Sequence, residues 1–203
     1  MNTLKFTITL LFTGVLISCG EKKESTEATP KKPTETIKKA EKVSTKKEDF
    51  KKLVADLKTK TPATKEQFEN WLPKTLIELS QTTSTINLIP GKSMCSAAYK
   101  NADKEITMTV IDGASNINPA YLEAYATYNI DDFNSEYSYG YDKATTIDGI
   151  KLREAYHKNE GGTYTITTFY NQRFSITLIA KKITYQELEQ VIKELNLEHL
   201  KTL

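Results

Sequence analysis

IDGIKLREAYHKNEGGTYTITTFYNQRFSITLIA, residues 147–180, decides the fold. Ile150, Leu152 and Tyr156 alternate with Lys151, Arg153 and His157. The same period continues through Tyr164, Ile166 and Thr168 against Thr163, Thr165 and Thr167. It returns in Phe174, Ile176 and Leu178 against Ser175, Thr177 and Ile179. A period of two puts one row of side chains on a core and the other toward water, the mark of half-buried strands. Asp148-Gly149, Glu160-Gly161-Gly162 and Asn171-Gln172 separate the runs. Connections this short join antiparallel neighbours, and Asp-Gly is a favoured hairpin turn. The spacing predicts a meander through 139–147, 150–158, 162–170 and 173–180.

Upstream, Ile106, Met108 and Val110 alternate with Thr107, Thr109 and Ile111 after the turn Asn101-Ala102-Asp103-Lys104. That predicts an earlier hairpin at 93–100 and 105–111. Elsewhere the period is helical. Phe50, Leu53, Val54 and Leu57 recur at i, i+3, i+4 and i+7, giving one apolar stripe. Thr64 and Gln67 form a capping-box pattern ahead of Phe68, Trp71, Leu72, Leu76 and Leu79, with a kink or restart expected at Pro73. Asn118-Pro119 is an N-cap followed by Pro at the first helical position, opening a helix toward Asn129. Thr184 and Glu187 make a second capping box before Leu188, Val191, Ile192 and Leu195. The order ααββαββββα predicts an α+β fold: an antiparallel meander of about six strands with helices packed on one face. The βαβ alternation of a parallel nucleotide-binding sheet is missing.

Residues 50–203 have the size of a single domain. They carry 18 basic and 19 acidic side chains, so the basic footprint of a nucleic-acid binder is absent. Residues 20–49 contain nine lysines and seven acidic residues, with Ile37 and Val43 as the only large aliphatics. Such a segment cannot bury enough apolar surface to offset chain entropy, and we expect a disordered, solvated spacer. Its lysines could also be drawn weakly to anionic headgroups.

The chain opens with Lys5 as its only charge before Glu21 and an apolar run from Phe6 to Ile17. This has the composition of a secretory signal and is too short for a membrane span. Leu16-Ile17-Ser18-Cys19 resembles the lipobox of bacterial lipoproteins. The resemblance implies cleavage between Ser18 and Cys19, a diacylglyceryl group on the Cys19 sulfur and acylation, by palmitate for instance, of the new amino terminus. It implies a signal peptide at 1–18, a lipidated cysteine and tether at 19–49, and a globular domain at 50–203. The location implied is the cell envelope, with Gly20 after the cysteine favouring an outer membrane facing the periplasm or the surface. The strand-rich part, with its Gly-Tyr-Asp-Lys and Asp-Gly-Ile turns, resembles small uncharacterised periplasmic domains of bacteria, which implies no activity.

No motif points to catalysis. Gly91-Lys92-Ser93 ends like a phosphate-binding loop, but Ile86 stands where the first glycine belongs. His157 and His199 lack ligand neighbours at zinc spacing, and no Gly-x-Ser-x-Gly elbow is present. Asp131, Asp132 and Glu136 lack the order of a calcium loop and read as helix exit and turn. We therefore expect no catalytic residue, no metal and no cofactor. With Cys19 committed to lipid, Cys95 has no intrachain partner. It reads as a small buried hydrophobe, with an interchain disulfide left open.

Six of the eleven tyrosines fall within residues 121–141. Tyr121, Tyr125 and Tyr128 are spaced to share a helix face, and Tyr137, Tyr139 and Tyr141 to share a strand face. A ring with a polar tip suits partly wet ligands or partners, so these six with Trp71 form the candidate binding surface. The plainer alternative is a helix-on-sheet packing seam, with Trp71 in the core. The function expected is a membrane-anchored, non-catalytic envelope lipoprotein that binds an unknown protein or small molecule. An assembly protein and a hydrolase are the alternatives. The membrane is the expected partner through the lipid, and nucleic acid is not.

Overall fold

The computed structural model describes residues 48–128 and 132–203, leaving out the side chains of Thr127, Tyr128 and Glu160. Ser18, Cys19 and the charged segment through residue 47 lie outside the described residues, as does Asp131. A first helix, α1, covers 48–57 and takes in the last two residues expected of the tether. The other helices are α2 (Lys65–Trp71), α3 (Pro119–Tyr128), α4 (Tyr185–Glu194) and α5 (Leu197–Leu200). The strands are β1 (Thr75–Leu76), β2 (Leu79–Ile86), β3 (Met94–Lys100), β4 (Glu105–Asp112) and β5 (Asn134–Tyr137). They continue as β6 (Gly140–Ile147), β7 (Ile150–His157), β8 (Thr163–Tyr170) and β9 (Phe174–Lys181).

Two antiparallel meanders, β1 to β4 and β5 to β9, share one sheet in the order β1-β2-β3-β4-β9-β8-β7-β6-β5. They join at β4–β9, in the middle of the sheet and at the end of the chain's strand run. The register carries one row of side chains across six strands: Tyr99, Ile106, Ala180, Tyr164, Tyr156 and Tyr141. The adjacent row runs Ala97, Met108, Leu178, Ile166, Glu154 and Lys143. Both lie on the face that packs the main core with Phe68 and Trp71 of α2, Leu188, Val191 and Ile192 of α4, and Leu197 and Leu200 of α5.

The local signals act as expected where they are strongest. Both capping boxes are formed, with Thr64 and Thr184 each accepting from the residue three along and receiving that side chain in return. Asn118 Oδ1 accepts from Ala120 N at 2.9 Å, capping α3.

Three expectations are corrected. The sheet has nine strands among the described residues, where about six were expected. Residues 72–79 do not continue α2, because Pro73 forces Leu72 into an extended conformation and ends the helix there. Leu76 and Leu79 instead face each other across the β1–β2 hairpin. Its two-residue turn, Ile77-Glu78, adopts φ of +44° and +67°, a conformation β-branched and bulky residues avoid. Ile77 N is held there by Glu194 Oε2 of α4 at 2.7 Å.

Helices also cover both faces of the sheet, where one was expected. Leu57 of α1, Leu122 of α3 and Phe169 of β8 form a second, smaller core. Phe169 sits between Thr168 and Tyr170 and so points to the opposite face. The long β4–β5 connection must cross the sheet, and α3 carries it over β8 and β9, where Tyr125 Oη meets Thr177 Oγ1 at 2.7 Å.

At the end of β4–β9 the buried Asp112 carboxylate meets the buried Arg173 guanidinium. Arg173 Nε donates to Oδ1 at 2.8 Å and Nη2 to Oδ2 at 2.7 Å. Asp112 also accepts from Ala63 N and Ala114 N, while Arg173 reaches Thr61 O at 3.0 Å. Breaking one side of such a pair leaves a bare buried charge, costing about 3–5 kcal/mol. Urea denaturation should show a loss of that size for Asp112→Ala and for Arg173→Ala. Arg173→Lys should recover little, because lysine cannot make the two-pronged contact. Glu78→Gly should raise stability by about 0.5–1 kcal/mol by removing a left-handed non-glycine residue from an exposed turn. An unchanged urea midpoint would contradict that account of the hairpin.

Candidate functional site

Parity along the strands singles out two charges. In an alternating strand the inward row should be apolar, yet Glu154 shares the inward parity of Leu152 and Tyr156, and Asp112 that of Met108 and Val110. Asp112 is saturated by the contacts above. Glu154 is not.

Glu154 is fully buried. Its Oε1 accepts the Tyr141 hydroxyl and lies 3.7 Å from Lys143 Nζ, beyond a proper hydrogen bond. Its Oε2 has no hydrogen-bond partner. The pair replaces what the rest of its row fills with Ile166, Leu178 and Met108.

Four tyrosines wall this carboxylate. Tyr141 of β6 and Tyr156 of β7 are direct cross-strand partners with ring centroids 5.5 Å apart. Tyr156 continues to Tyr164 of β8 at 4.7 Å, and Tyr164 to Tyr185 of α4 at 6.3 Å. Lys143 Nζ closes the circuit, 4.7 Å from the Tyr141 centroid and 5.8 Å from that of Tyr185. The register sets the first three rings in line, with the small Ala180 next in the row. Gly162 is held at φ +88°, and a Cβ there would fall 2.9 Å from the Tyr156 hydroxyl, so the turn before β8 can press against the ring. Burial raises the pKa of Tyr141, and the Glu154 carboxylate beside it raises it further. Tyr164 and Tyr185 move in the same direction, first through burial. The hydroxyls stay protonated and can donate. The wall is half-open: Tyr164 is buried, Tyr141, Tyr156 and Lys143 are half-buried, and Tyr185 is exposed.

The expected binding surface does not assemble. Trp71 lies in the main core, its Nε1 donating to Asn196 O at 3.4 Å. Tyr121 and Tyr125 do share a face of α3, with hydroxyls 2.9 Å apart, but that face lies on the opposite side of the sheet from Glu154. The Tyr128 side chain is outside the described residues. Tyr137, Tyr139 and Tyr141 do not share a strand face, because a hairpin turn intervenes between β5 and β6. Tyr139 stacks on Tyr137 at a centroid spacing of 5.3 Å and on His157 at 5.9 Å. Tyr141, adjacent in register to the Gly140–His157 pair, points to the other face. Of the six whose side chains are described, only Tyr141 enters the wall.

The other candidates stand apart. His157 pairs with Thr163 at the start of β8, whereas His199 follows Glu198, which accepts from Tyr170 at the far end of that strand. Asp132 pairs with Lys151 at 3.0 Å, at the end of β7 remote from His157. Gly91-Lys92-Ser93 lies in the β2–β3 loop beside an open cleft of about 380 Å³. A second open cleft, about 420 Å³, lies between the β6–β7 and β8–β9 turns and α5. Its Glu198 is already bonded by Lys201 and Tyr170, which hold its carboxyl below the usual range. Among the described residues no three His, Cys, Asp or Glu side chains group as metal ligands. None of their helices is long and apolar enough to cross a membrane. The chain matches no family model, no curated protein and no solved structure.

Cys95 is fully buried, and burial pushes its thiol up to about 12. Burial also moves Tyr99, in the same core, up to about 12. Both groups favour their neutral form in the folded state. Their stabilisation is therefore complete below the unfolded values, about 8.5 for cysteine and about 10 for tyrosine, and fades as pH rises toward 12. The urea midpoint should fall between pH 9 and 11, and Cys95 should resist a thiol reagent at pH 8 until the chain unfolds. Rapid labelling of the folded protein would show the thiol to be open.

Proposed function

We propose that this chain is a lipid-anchored protein of the bacterial envelope whose domain, from residue 48 onward, binds a ligand or partner at the tyrosine wall over Glu154. Anchoring is supported by Leu16-Ile17-Ser18-Cys19 following Lys5 and an apolar run. In this reading residues 1–18 are removed and Cys19 carries the acyl chains. The mixed-charge segment after it tethers the domain to an outer membrane, facing the periplasm or the surface. One acyl chain holds marginally at about 0.8 kcal/mol per buried methylene, whereas two or three hold stably.

One observation carries the binding role. A wholly buried carboxylate keeps an unpartnered oxygen beneath rings that reach solvent. Stability alone accounts for this poorly, since an apolar pair of similar volume at Lys143 and Glu154 would serve the core as well or better. The role is non-catalytic: recognition by rings and charge, with no bond made or broken. An assembly role is favoured by a different feature, the exposed Leu88 and Ile89 at the tip of the β2–β3 loop, 72% and 42% accessible.

Cys19→Ser should move the full chain from the membrane to the soluble fraction and abolish incorporation of labelled palmitate. A variant that stays processed and membrane-bound would refute the anchor. Native mass spectrometry of the extracted wild type should show a bound ligand or partner that Tyr185→Ala loses, and identical spectra would refute the wall as the binding site.

A further inference from the structure

We infer that the tyrosine wall over Glu154 recognises the ammonium group of a small primary amine, and that Lys143 is a built-in occupant which the ligand displaces. The inference deepens the binding role above and rests on it.

A cation lies within about 6 Å of a ring centroid when it is held by the ring face, and Lys143 Nζ meets this for two tyrosines at once. Beneath it is a buried carboxylate. Aromatic faces around an acid make a site for positive charge and repel anions. Lys143 fills this site imperfectly: at 3.7 Å from Oε1 it gives no hydrogen bond, and Oε2 receives none from any side chain. A ligand ammonium carrying N–H donors can satisfy Oε2 where Lys143 does not. That requirement selects a primary amine over a quaternary one, which offers charge without a donor. The site also permits exchange. The Lys143 side chain is 34% accessible on a flexible stem, and Tyr185 stands exposed at the rim. On the other side Gly162 lies close against the Tyr156 hydroxyl. Once displaced, the lysine ammonium regains water beside the rim, so the exchange trades one compensating charge for a better-bonded one.

The test is chemical rescue with n-pentylamine, an analogue of the lysine side chain, using 1-pentanol and tetramethylammonium as controls on the full chain. Lys143→Ala leaves Glu154 uncompensated and should lower Tm. At about 100 times its Kd, n-pentylamine should raise the Tm of that variant by about 5–10 °C. Neither control should do so, and the rescue should vanish in Lys143→Ala/Glu154→Gln. In the wild type, saturating n-pentylamine should shift the ring resonances of Tyr141 and Tyr185 and bind at least tenfold more weakly than to Lys143→Ala. Tyr185→Ala, altering only an exposed ring, should keep its circular dichroism and lose the Tyr141 shift. Rescue of Lys143→Ala without any shift in the wild type would make Lys143 a permanent occupant and overturn the inference. Equal shifts from 1-pentanol would overturn the ammonium and leave a binding site. Silence of all probes in both proteins would remove the binding site as well.

Discussion

The Asp112–Arg173 pair closes the seam on which the whole sheet depends. The two residues are 61 positions apart and meet at the end of the β4–β9 pairing, the one junction between the two meanders. Each meander is local and can form from short turns, but joining them requires closing the long loop through α3 and β5 to β8. A bidentate pair in a buried site fixes the register of that closure, since a slip of one residue would turn one charge away from the other. The same pair collects the backbone of Thr61 and Ala63, so the segment between α1 and α2 is tied to the seam as well.

The protein thus contains two inward-facing acids with opposite fates. Asp112 accepts from a guanidinium and two backbone amides, and both its oxygens are satisfied. Glu154, three strands along the sheet order in the outer meander, has one oxygen engaged by Tyr141 and the other bare. A saturated buried pair holds architecture, whereas an unsaturated one leaves capacity for another donor. The surroundings follow suit. Around Asp112 the chain itself fills every contact, while around Glu154 four rings leave a rim open to solvent.

Much of the fold was legible because alternation and caps are local. β3, β4 and β6 to β9, the two capping boxes and the start of α3 could all be read from spacing and turn residues. Two of the missed strands, near the sheet's outer edges, have little core to face. β2 is mostly exposed beyond Leu79 and Thr- and Ser-rich, and β5 reads Asn-Ser-Glu-Tyr without alternation. β1 was hidden by Leu72, Leu76 and Leu79, whose helical spacing outweighed Pro73, and by a turn with no turn residue in it. Of the candidate site, Tyr141 was found and Glu154, Lys143, Tyr156, Tyr164 and Tyr185 were not. Sequence clustering favoured neighbours along the chain, but the wall is built from neighbours across strands. The signal that could have found it was the parity of Glu154.

By itself, then, the sequence determined the α+β class, the antiparallel central strands, the helix starts and the burial of Cys95, all consequences of interactions a few residues apart. Only the tertiary structure decided the strand order, the use of both faces and which tyrosines meet. Those depend on register and on the long closure at β4–β9. Across that seam, residues that are remote in the chain become direct neighbours, and the β5–β6 turn, which pairs Tyr137 with Gly140, separates Tyr141 from the stacked rings of Tyr137 and Tyr139.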